Sequence, residues 1–168
     1  TVVLTAVYNA YFVGVIAKGQ PSATLLWTVL IAVSSFLVMV TMPGLGAWAD
    51  AHGAKKKLLG LCTIGCVLST AALAVFGADQ LWWAATAVVL SNVFFSYGES
   101  LIAAFLPELA RRDALGRVSG WGWAFGYLGG MLALGLCLGY VLSAQARGDT
   151  ADHFVPVTML ITAGLYLL

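Results

Sequence analysis

Hydrophobic runs close to the length of a membrane-spanning helix, set one after another with short polar breaks between them, constrain this chain more than any single motif. A bilayer core about 30 Å thick needs about 20 helical residues at about 1.5 Å each. That ruler divides the sequence into six segments: residues 1–17, 23–48, 58–76, 81–106, 118–142 and 152–168. A segment in hydrocarbon must satisfy its backbone hydrogen bonds within itself, which makes each of them a helix. The composition agrees, with 61% of the 168 residues hydrophobic and 9% charged, against roughly 25% charged in a soluble domain. The sequence therefore predicts an all-α membrane protein with six transmembrane helices. Asp79 is placed to cap the fourth helix and Pro107 to mark its exit. The chain opens without a methionine or basic leader and stops inside an apolar run, so both ends read as cut from a longer protein.

The few charges carry the topology. Of the eight lysines and arginines, Lys55, Lys56 and Lys57 fall between the second and third segments and Arg111, Arg112 and Arg117 between the fourth and fifth. Only Lys18 and Arg147 fall in the opposite loops. Basic loops stay cytoplasmic, which puts the N-terminus on that side, Trp48 and Trp121 at the inner interface, and Trp82 and Trp83 at the outer one. A net charge of +1 gives no reason to expect a nucleic-acid partner. Cys62, Cys66 and Cys137 lie in apolar segments with no histidine or carboxylate at ligand spacing, so no metal, cofactor or disulfide is expected. No paired nucleophile and base points to an enzyme.

Three features remain for function. Asn92, Ser96 and Glu99, with small Ala103 following, share one helix face at spacings of four, three and four. Glu99 is the only acid well inside a segment, and a charge at that depth costs on the order of 3 kcal/mol unless it meets water, a partner or a cavity. The stripe suggests a water-lined route for a small solute or protons; the plain alternative is a hydrogen bond between helices. Finally, Gly122, Gly126 and Gly130, with Gly129 beside them, recur every fourth residue and leave a nearly side-chain-free stripe for close helix packing. They sit inside an apolar helix rather than between a strand and a soluble helix, which excludes a dinucleotide-binding turn.

Two motifs carry a resemblance. The stretch Gly46-Ala47-Trp48-Ala49-Asp50-Ala51-His52-Gly53-Ala54-Lys55 resembles the loop signature of the major facilitator superfamily, with matches at Gly46, Ala49, Asp50, Gly53 and Lys55. Trp48, Ala51 and Ala54 depart from it. Phe105-Leu106-Pro107-Glu108-Leu109-Ala110, followed by Gly116-Arg117-Val118-Ser119-Gly120 and Gly126-Tyr127-Leu128-Gly129-Gly130, is similar to one branch of that superfamily: the autophagy-related vacuolar amino-acid effluxers and their bacterial relatives. Leu101-Ile102-Ala103-Ala104 stands where relatives often carry a tyrosine-asparagine pair.

The resemblance implies the N-terminal half of a twelve-span transporter, in a bacterial inner membrane or a eukaryotic vacuolar-type membrane, with a C-terminal half as partner. Such a protein binds a small solute, amino acids exported in that branch, near the midplane between two rocking halves. Glu99, Asn92, Ser96, Tyr8, Asn9 and Tyr127 would then line the path, and Gly46, Asp50, Gly53, Lys55 and Arg117 would form a cytoplasmic gate. Gly122, Gly126, Gly129 and Gly130 would make a sliding contact. A membrane scaffold or receptor built on the same fold, transporting nothing, is the alternative.

Overall fold

The computed structural model describes residues 3–18, 22–76, 80–109 and 114–167, apart from the side chains of Leu109 and Asp152. The expected cap Asp79 and the cytoplasmic arginines Arg111 and Arg112 lie outside the described residues. Those described form six helices and no strand: α1 (Leu4–Ile16), α2 (Ala23–Ala51), α3 (Lys55–Ala72), α4 (Leu81–Leu109), α5 (Leu115–Ala146) and α6 (Ala151–Leu167). Three of them, α2, α4 and α5, are long and apolar enough to cross a membrane. The protein is all-helical and built for a bilayer.

Helices outrun the apolar segments at several ends. α3 takes Lys55, Lys56 and Lys57 into its first turn. α4 continues past Pro107 to Leu109; the proline forfeits one hydrogen bond, to the carbonyl four residues back, in the last turn of the helix. α1 is wound wide. Leu4–Tyr8 and Phe12–Ile16 form π-helical turns around a short α-helical stretch, Asn9–Tyr11, and the Ala17 N–H reaches back five residues to the Phe12 carbonyl at 2.7 Å.

The turn from α2 into α3 is set by Gly53, whose φ of 58° lies in the left-handed region. This conformation lets the Gly53 N–H bond the Asp50 carbonyl at 3.3 Å and the Ala54 N–H bond the Ala49 carbonyl at 2.9 Å. Both orphan carbonyls at the helix end are thereby satisfied, and the chain reverses at once. Gly148, at φ 82°, closes α5 with the same pair of bonds, to Gln145 and Ala144.

α4 is the centre of the bundle. It packs most closely on α3, then on α2, while α6 covers α3 and carries α5. The α3–α4 approach depends on Gly65, since a Cβ there would lie 2.9 Å from the Phe94 ring. α1 closes one end of the core, where Tyr8 and Phe12 tilt against Trp27 of α2 at ring distances of 6.5 and 5.4 Å. Tyr8, Phe12, Leu73, Val88 and Met159 are fully buried in one cluster. α5 stands at the edge with only Cys137 and Ala144 buried along its 32 residues.

Three substitutions test these constraints by thermal unfolding of the full-length protein in detergent. Gly65→Val drives methyl groups into the Phe94 ring and should cost about 1–3 kcal/mol, whereas Gly60→Ala, with nothing within 4 Å of the new Cβ, should leave the melting temperature unchanged or slightly raised. Gly53→Val forces a branched residue into the left-handed region and should cost about 1–2 kcal/mol.

Candidate functional site

The polar residues gather on two levels of α4. At the deeper level Asn92 is buried and donates its side-chain N–H to Ser34 Oγ of α2 at 2.6 Å, and Ser34 in turn donates to the Ile31 carbonyl at 2.8 Å. One position earlier, Ser91 meets Thr70 of α3 at 2.8 Å. Asn92 and Ser91 thus point to different neighbours and pin α4 between α2 and α3. Tyr97, further along, pairs with Thr41 of α2. The sequence reading missed Ser34, Thr70, Ser91, Thr41 and Tyr97. Single hydroxyls and a tyrosine in apolar helices carry no periodic signal until the rotation of the neighbouring helix is known.

Ser96 is half-buried and its carbonyl accepts from Ser100 Oγ at 2.8 Å. Glu99 is exposed and makes no hydrogen bond or ion pair among the described residues. The stripe therefore runs from a buried amide to an open carboxylate on a helix whose other outward residues are largely apolar. Tyr8 lies elsewhere: it is fully buried against Tyr11 and Trp27, with a hydroxyl that finds no partner among the described residues. Asn9 is half-buried beside it. Tyr127 is exposed on α5, its ring 5.9 Å from Trp123, and no described contact joins it to the α4 stripe.

The loop signature folds into a three-residue clamp. Because Gly53 reverses the chain so tightly, Lys55 returns beneath the end of α2, where its Nζ lies 2.7 Å from Asp50 Oδ1. The same ammonium lies 2.7 Å from Glu108 Oε1 and 6.0 Å from the Phe105 ring centre, both on α4. One cation thus bridges two carboxylates and ties the α2–α3 turn to the end of α4. The hydrogen bond it donates to Asp50, and then that to Glu108, hold the Lys55 ammonium above the usual lysine range, so Lys55 stays charged at any physiological pH. Raising the pH through that elevated value is what would release the bridge.

Glu108 was quoted in the second motif without a role. An acid one residue past the proline, at the level of the basic turn, is the signal that could have found it. Arg117 is exposed and makes no ion pair among the described residues, and Gly46 has nothing within 4 Å of where a Cβ would be. His52 stacks on Trp48 at 4.9 Å and its Nδ1 lies 2.9 Å from the Trp48 carbonyl.

The glycine stripe is open. Gly122, Gly126, Gly129 and Gly130 each have no atom within 4 Å of an added Cβ, so nothing among the described residues uses the groove they make. All three cysteines are buried thiols. Among the described residues there is no cluster of metal-ligating side chains.

Comparison with known proteins bears on the whole. A family model described as "Vacuole effluxer Atg22 like" matches residues 10–116, from α1 through α4 to the start of α5. An uncharacterized MFS-type transporter, YxiO of Bacillus subtilis (strain 168), is 30% identical over 149 residues, covering 87% of this chain and 35% of its own length. No solved structure matches. The chain thus spans about a third of the relative it matches, and the clamp and the polar stripe of α4 both fall within the region the family model covers. On that match the chain belongs to the vacuole effluxer Atg22-like family of the major facilitator superfamily.

Proposed function

We propose that the full-length protein is a secondary active transporter of a small solute, and that this chain is the six-helix N-terminal half of a twelve-span fold. The solute would bind near the bilayer midplane between the two halves and cross by alternating access. The observation that carries this reading is Glu99, a carboxylate without a partner on an exposed face of a membrane helix. A charge at that depth is costly, and a cavity that takes up a cation or a proton is a reason to keep it. Amino acids are the class the resemblance implies, with export as the direction, and a carboxylate suits their ammonium group. Family membership supports transport in general; the solute rests on Glu99 and the resemblance.

In this reading Asn92 sets the rotation of α4 and so the direction in which Ser96 and Glu99 face, while Asn9 and Tyr127 approach the path from α1 and α5. Tyr8 stiffens the α1–α2 contact. The Asp50–Lys55–Glu108 clamp holds the cytoplasmic end of the half together as one body. The open stripe of α5 faces the C-terminal half. The N-terminus lies in the cytoplasm, as the basic loops require.

Flux through proteoliposomes containing the full-length protein tests the central residue. Glu99→Gln should abolish transport driven by a pH gradient at normal expression; transport with the wild-type pH dependence would remove Glu99 from the mechanism. The clamp gives a second test. Lys55→Glu should lower flux while leaving the melting temperature nearly unchanged, because the carboxylates are exposed, and adding Glu108→Lys should restore part of the flux.

A further inference from the structure

Asn92, Thr162 and Tyr166 meet at a small cavity of about 30 Å³, with Thr70, Ser91 and Met159 also in its wall. The wall comes from α1, α3, α4 and α6, and it borders the α2–α4 contact through Asn92 and α5 through Thr162, whose Oγ1 lies 3.7 Å from Cys137 Sγ. Two of its polar groups lack a protein partner among the described residues. Asn92 uses an N–H on Ser34 and keeps its carbonyl oxygen, and the Tyr166 hydroxyl makes no hydrogen bond. Thr162 donates to the Thr158 carbonyl at 2.7 Å and retains a lone pair.

We propose that this cavity is a binding site for one ordered water, which donates to Asn92 Oδ1 and Thr162 Oγ1 and accepts from Tyr166 Oη. A water needs about 10–15 Å³ and two to four polar partners, typically about three, and the site offers both. It is too small for an organic solute. A sodium ion fits its chemistry poorly, since the wall holds no carboxylate and a buried charge with only a few neutral oxygens is left underpaid in solvation. An unsatisfied carbonyl or hydroxyl in hydrocarbon is costly, and the water removes that cost at α4 and α6 together. The site stands whether or not the protein transports.

Met159 is fully buried in the cavity wall and serves as the reporter. Hydroxyl radicals generated in place from bound water, by a millisecond X-ray pulse on the full-length protein in nanodiscs, should oxidise Met159. Thr162→Leu, which fills the cavity, should abolish that oxidation. A wild-type Met159 that stays unlabelled means a dry cavity and overturns the proposal, as does labelling that survives in Thr162→Leu. Replacing sodium with choline at constant ionic strength should leave the melting temperature unchanged; a sodium-dependent rise would assign the site to a cation instead.

Discussion

In hydrocarbon a peptide N–H or carbonyl without a partner has no water to turn to, and each such group costs several kcal/mol. The constraint that makes every element a helix extends to the side chains. Most hydroxyls comply locally: Thr28, Thr63, Ser69, Thr86 and Ser143 each donate to the carbonyl four residues back. Such bonds satisfy the hydroxyl and say nothing to the neighbouring helix. Three of the bonds that cross between helices, Asn92 to Ser34, Thr70 to Ser91 and Thr41 to Tyr97, end on α4. At roughly 0.6 kcal/mol each they add little energy. Their effect is directional: with Phe94 seated over Gly65, they fix the rotation of α4 and therefore which way Glu99 looks.

What the sequence revealed follows from what is periodic. Length and hydropathy were enough for an all-helical membrane chain, and the loop signature was enough to pick out Asp50, Gly53 and Lys55. Pairings between helices were not legible, because they depend on rotations that a helix cannot choose alone. Asn92 was read as one wall of a water route, and its amide reaches Ser34; Tyr8 was read beside it, and its ring packs on Trp27. Glu108 went unassigned for the same reason, since its partner Lys55 is 53 residues away. Pro107 lies two residues before the end of α4, near the exit it is expected to mark.

The clamp and the turn that builds it differ in strength. Gly53 fixes backbone, and its left-handed conformation is hard to give to any other residue. The Lys55 bridge joins exposed carboxylates at the water boundary, where each pair is worth about 0–1 kcal/mol. The turn therefore keeps Lys55 permanently in reach of both acids, while the contact itself is weak enough to break and remake. A buried ion pair in the same place would lock the two ends of the helices together.

α5 poses the reverse problem, a surface with more design than its surroundings require. A helix meant only for lipid gains nothing from glycine every fourth residue: each costs about 1 kcal/mol of helix propensity relative to alanine and offers lipid tails no side chain to contact. Yet four glycines of α5 line a groove with nothing within 4 Å, on a helix held to the bundle chiefly through α6. Small residues of this kind are found where a second helix backbone approaches closely, and none of the described helices does so. If the C-terminal half is that partner, the same smooth groove lets the two halves rock without side chains catching, and its looseness against α4 leaves α5 free to follow the motion.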